Sequence, residues 1–197
     1  MKVKGYMLFA SVLLLISQVQ AAPLELVKAA KARTQLDIRY DGSYQKLAYP
    51  GGDVPDNIGV CTDLVIRSYR TLGVDLQLLV HEDIREHFTL YPSKRIWGLS
   101  KPDRNIDHRR VPNLQVFFSR YGQSLPFTQS GQGFVAGDIV TWMLPGNLPH
   151  IGIVSDKNAP DGTPLVLHNI GAGPVEDNSL LRYPITGHYR YPAVTEQ

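Results

Sequence analysis

The chain changes texture near Gly133, and that change constrains its fold more than any single motif. Before it, apolar residues recur at helical spacing in "LELVKAAKARTQL" (24–36), in 61–72, in "LLVHEDIREHF" (78–88) and in "VPNLQVFFSRYG" (111–122). After it come short β-rich runs, "GDIVTWM", "HIGIVSD", "PLVLHNI" and "HYRYP". Turn-forming "LPGNLP", "KNAPDGT" and a Gly/Pro-rich stretch separate them. Helices first and strands afterwards predict an α+β domain, with N-terminal helices followed by an antiparallel β-sheet. The 197 residues suit one domain, and no period of 20–50 residues repeats. A net charge of +2 gives no footprint for nucleic acid.

Residues 1–21 read separately. "MKVKGYMLFASVLLLISQVQAAP" has Lys2 and Lys4, an apolar stretch from Tyr6 to Ile16, and "VQA" ending at Ala21. A basic start, a short apolar core and small residues at the cleavage position describe a secretory signal peptide. The stretch is shorter than the ~20 residues a membrane helix needs. The expected mature protein is therefore 22–197, soluble in the periplasm and without a stable membrane anchor.

Export sharpens the meaning of "GVCTDLVIRSYRTLG" (59–73), which holds the single cysteine, Cys61. One thiol cannot form an internal disulfide, so Cys61 is either a small buried hydrophobe or a nucleophile. Leu64, Ser68 and Leu72 at i, i+4 and i+8, with Val65 and Tyr69, predict a helix starting at Cys61, and Gly73 suits the position after its end. A helix N-terminus lowers a thiol pKa through its free N–H groups. A nucleophilic thiol also needs a base, and His150 opens a predicted strand just after a proline-rich turn. His168 ends the following strand and falls roughly level with it if the two pair antiparallel. Spacing alone favours two satisfied strand-end histidines.

"YPGGDVPDNIGVCTDLV" resembles the nucleophile segment of NlpC/P60-type cell-wall cysteine peptidases. "GDIVTWMLPGNLPHIGIVSD" is similar to their second segment and "PLVLHNIG" to their third. Across most of its length the chain also resembles the DUF1287 group of exported bacterial proteins, through "YPGGDVP", "GVCTDLVIR", "NIDHRRVPNL" and "PGNLPHIGIVSD". The resemblance implies a papain-like core with Cys61 as nucleophile and His150 as base. His168 would orient that base, with the adjacent Asn169 as the other candidate for the role. Tyr49, twelve residues before Cys61, would match an upstream tyrosine that shapes the oxyanion site. Two positions depart from the pattern: Val60 replaces an aspartate before the cysteine, and Asp63 replaces a glycine after it. A carboxylate at 63 suits the helix dipole yet would raise the thiol pKa.

Other signals carry less. "HEDIREH" (81–87) spaces its histidines by six, unlike an i, i+4 zinc pair. "DRNIDHRR" (103–110) begins like a calcium loop but lacks its glycine, and its twelfth position is Leu114, so it reads as a solvated loop. Arg109 and Arg110 offer cations for an anionic substrate group, against a simpler role in surface charge or an internal salt bridge. "GAGP" (171–174) lacks the following helix of a phosphate loop. The expectation is an exported cysteine hydrolase that needs no metal or organic cofactor. It would cut an amide bond in peptidoglycan stem peptides through a Cys–His dyad and an acyl-enzyme. The rivals are acyl transfer or lipid ester cleavage on the same core, and a non-catalytic envelope binding protein.

Overall fold

The computed structural model describes residues 22–128 and 130–192; the expected signal segment lies outside them. Helix α1 covers 22–33, and residues 34–36 form a turn rather than its last coil. The breaker-rich stretch holds two short strands, β1 (Arg39–Tyr40) and β2 (Ile58–Gly59), paired in parallel. Helix α2 (Cys61–Thr71) follows, then α3 (Leu76–His87), which starts two residues earlier than its periodicity predicts. The cause is Asp75, whose carboxylate accepts the Gln77 backbone N–H at 3.0 Å and caps the helix. Helix α4 (Ser93–Trp97) has no counterpart in the sequence reading. Helix α5 (Val111–Tyr121) carries Pro112 in its first turn, where the missing N–H costs little.

The C-terminal half is an antiparallel sheet of β3 (Gln123–Ser124), β4 (Ile139–Leu144), β5 (Leu148–Asn158), β6 (Pro164–Asn169), β7 (Pro174–Asp177) and β8 (Ile185–Arg190). Its order is β3-β8-β4-β5-β6-β7. The α+β arrangement with an antiparallel sheet follows the predicted segregation. β7 escapes sequence reading because "PVED" has no apolar alternation; it is an edge strand, where charge is tolerated.

Strand alternation divides the core into two. Ile139, Ile151, Ile153 and Leu167 face the helices, where they pack with Leu26, Cys61, Leu64, Val65, Tyr69 and Phe118. Val140, Trp142, Val154 and Val166 face the other way and pack under Phe134, Leu180 and Ile185. Helix α2 is buried along almost its whole length, with Arg67 among its buried residues. Arg67 donates to the carbonyls of Ile58, Val54 and Pro55 and to Asp53, so the loop before Cys61 is fixed from within the helix. At the other end Gly73 takes φ +82°. Its N–H bonds to Arg70 O and that of Val74 to Tyr69 O, a Schellman closure.

Candidate active site

Cys61 is the first residue of α2, and its residue surface is 5% exposed. The cap is Val60, which has no side-chain oxygen to offer; Asp63 supplies the substitute by accepting the Val60 N–H at 2.7 Å. Asp63 also accepts Arg109 Nε at 2.8 Å and Nη2 at 2.9 Å, a buried bidentate pair. The departure at 63 therefore has a structural reading: its charge is matched by Arg109. The Thr62 hydroxyl donates to Arg109 O at 3.1 Å, latching the same loop to the first turn. That loop is not solvated as expected, because Asp107, His108 and Arg109 are all buried.

The backbone N–H groups of Ile151, the residue after His150, and of Thr62 and Cys61 lie near enough to the sulfur to pull its thiol pKa down. The thiol therefore lies against the β5 backbone from the helix side, beside the residue whose imidazole leaves the strand on the opposite face. Burial nevertheless dominates: it pushes the thiol up to about 12, against these N–H groups and with a further push from Asp63. The expected lowering by the helix N-terminus is outweighed, and the resting group is a neutral thiol.

His150 lies on the other face of β5, stacked on Trp142 with ring centroids 5.5 Å apart. Its Nε2 is 2.9 Å from His168 Nδ1, and His168 Nε2 is 3.0 Å from Asp177 Oδ1. The register pairs His168 with Gly152, so the two histidines are diagonal neighbours on one face rather than level. Gly152 makes that closeness possible. A Cβ there would lie 2.9 Å from Leu167 O, 3.1 Å from His168 Cβ and 3.2 Å from the Trp142 ring. Trp142 is itself anchored by Nε1 donating to Leu180 O at 2.9 Å. Burial, helped by His168, brings His150 down to about 3. Burial likewise lowers His168, against the pull of Asp177.

The remaining expected residues disperse. Asn169 faces the helices, accepts the Gly171 N–H at 3.2 Å and makes no contact with His150; His168 occupies that place. Tyr49 donates to Glu82 at 2.6 Å and packs edge-on to His81, in a different neighbourhood. The tyrosine beside the thiol is Tyr40, paired with Gly59 two residues before Cys61. Although the residue is 41% exposed, desolvation pushes its hydroxyl up to about 12, with Asp63 and any ionised Cys61 adding to the shift. Arg110 lies over the Trp97 ring at 4.0 Å with Nη1 3.3 Å from Asp107, and Arg109 is committed to Asp63. Neither is a free surface cation. Sequence reading missed Tyr40, Trp142, Gly152 and Asp177; "HIGIV" was the one available signal, since a glycine inside a strand marks a close approach.

No cluster of three or more His, Cys, Asp or Glu side chains suited to a metal occurs among the described residues. No described helix is long and apolar enough to cross a membrane.

Residues 27–191 match the family model "Domain of unknown function (DUF1287)". The chain is also similar to "Uncharacterized protein YijF" of Escherichia coli (strain K12), at 50% identity over 177 residues, covering 89% of this chain and 85% of that protein. With most of its length inside the match, the chain belongs to the DUF1287 family.

Proposed function

We propose that the protein is an exported, papain-like cysteine hydrolase of the NlpC/P60 type that cleaves an amide bond in peptidoglycan stem peptides. One observation carries this reading: the only cysteine starts a helix and abuts the backbone N–H that follows His150, whose outer nitrogen is held by His168. His150 Nδ1 makes no hydrogen bond among the described residues and is the nitrogen left to act as base.

Because thiol and imidazole both rest neutral, the proton moves as the reaction proceeds rather than beforehand. At rest β5 separates thiol and imidazole, so the start of β5 must turn before the Cys61 S–H proton can pass to His150 Nδ1 as sulfur bonds to the carbonyl carbon. The Cys61 backbone N–H and the Tyr40 hydroxyl hold the oxyanion. His150 then protonates the leaving nitrogen as the C–N bond breaks. Water, deprotonated by the same imidazole, releases the acid and restores the thiol.

The test is release of new free amines from purified peptidoglycan by the 22–197 chain. The wild type should release them; Cys61→Ala should not, and His150→Ala should lose about 10³-fold. Muropeptide profiles identical for wild type and Cys61→Ala would reject the wall substrate. A second reading, a non-catalytic envelope binding protein, is favoured by the burial of Cys61 and its raised thiol pKa. Muropeptide binding that survives Cys61→Ala, without amine release, would select it.

A further inference from the structure

We propose that Asp177 is a positioning residue of this site, selecting through His168 which nitrogen of His150 is free to accept a proton. The inference rests on the hydrolase reading for its consequence, but not for its geometry.

An ionised carboxylate can only accept hydrogen bonds. Asp177 Oδ1, 3.0 Å from His168 Nε2, therefore requires the proton of neutral His168 on Nε2. His168 Nδ1 is left with a lone pair, and it faces His150 Nε2 at 2.9 Å. The contact is a hydrogen bond only if His150 carries its own proton on Nε2. His150 Nδ1 then has the lone pair. One carboxylate on an edge strand thus sets the tautomers of two imidazoles in series.

Without Asp177 the order can reverse. His168 would donate from Nδ1 to His150 Nε2, and His150 would carry its proton on Nδ1, where a base must be empty. Both arrangements make the same histidine–histidine bond, so only the far end separates them. Burial keeps both rings neutral, which is why tautomer rather than charge is what Asp177 controls. The charged group beside these three residues is Arg182, whose Nη1 lies 3.6 Å from Asp177 Oδ2. Arg182 favours the ionised carboxylate. Asp177 reaches His168 because register pairs His168 with Val175, two residues away on the same strand face.

Long-range ¹H–¹⁵N correlation spectra of the 22–197 chain with ¹⁵N-labelled histidine read tautomers directly, with no substrate. At pH 7 the wild type should show His150 and His168 both protonated on Nε2. Asp177→Ala should move both toward the Nδ1–H form, while Asp177→Glu should retain the wild-type pattern. In muropeptide hydrolysis Asp177→Ala should lower kcat about 10²-fold with KM unchanged. Wild-type His150 protonated on Nδ1, or tautomers unmoved by Asp177→Ala, would overturn the proposal. Tautomers that shift as expected in a protein that hydrolyses nothing would uphold the positioning role and reject the hydrolase reading instead.

Discussion

Asp83 and His150 are both buried and both hydrogen-bonded, yet their surroundings act on them in opposite ways. Asp83, on α3, gathers Arg120 through two bonds of 2.7 and 2.9 Å, Tyr91 at 2.5 Å and Tyr121 at 2.7 Å. Burial pushes its carboxyl up, but these donors overcome it and hold the group at about 2. His150 has one polar partner, which is itself a neutral ring, and burial brings it down to about 3. The first cluster stabilises a charge by surrounding it with donors. The second lines up single bonds and leaves the last nitrogen open. Convergence of donors makes a structural knot; a single file with an open end makes a site that can still take up a proton.

Breaking the knot should cost most in stability. Asp83→Ala leaves Arg120 and two tyrosine hydroxyls without their acceptor, and urea unfolding should show a loss of about 3–5 kcal/mol. Activity per folded molecule should be unchanged. A loss under about 1 kcal/mol would mean that the donors find water instead, and the contrast with His150 would fail.

A second buried acid sharpens the comparison through pH. Burial pushes Asp107 up to about 6, against the N–H of Asp103 and the charge of Arg110. Its folded value exceeds its unfolded one, so the contribution of this one group grows as pH falls from about 6 to about 4. Asp83 has the opposite sign, and the stability it contributes is lost as pH falls from about 4 to about 2. His108 and His150, both brought down to about 3 by burial, act against Asp107 and together outweigh it, so urea midpoints should fall as pH drops from about 6 to about 4. Asp107→Asn should raise stability at pH 7 by about 1–3 kcal/mol and make the fall between pH 6 and 4 steeper. A fall of equal steepness in wild type and Asp107→Asn would contradict this assignment.

The smallest effect concerns the thiol at rest. With Cys61 pushed up to about 12, iodoacetamide at pH 7 should alkylate it more slowly than a free cysteine, whose pKa is about 8.5. Urea should abolish the difference. Alkylation faster than free cysteine would show that the resting site is open and charged.

The sequence conveys the parts of this molecule that depend on local periodicity. α2 and α5, the four longest strands and the helix-then-strand order follow from apolar spacing and turn residues. Cys61, His150 and His168 are visible because rare residue types sit at element ends. What stays hidden depends on pairing between distant segments. Asp177 lies on an edge strand without apolar alternation, and Tyr40 is brought to Cys61 by a two-residue parallel pairing. An internal salt bridge for Arg109 is among the sequence expectations, but its partner Asp63, 46 positions away, and its burial are not. The thiol's burial is equally invisible, since whole-domain packing reverses what a helix N-terminus would do alone.

The central claim, that Cys61 forms a covalent acyl intermediate with a wall peptide, is tested most directly by intact-mass spectrometry. The 22–197 chain would be mixed with purified muropeptides and quenched in acid within a turnover. The account predicts an added mass equal to the acyl fragment, mapped by proteolysis to the peptide containing Cys61 and absent from Cys61→Ala. Amine release at the wild-type rate by Cys61→Ala, or muropeptides consumed with no adduct at Cys61 at any quench time, would contradict it.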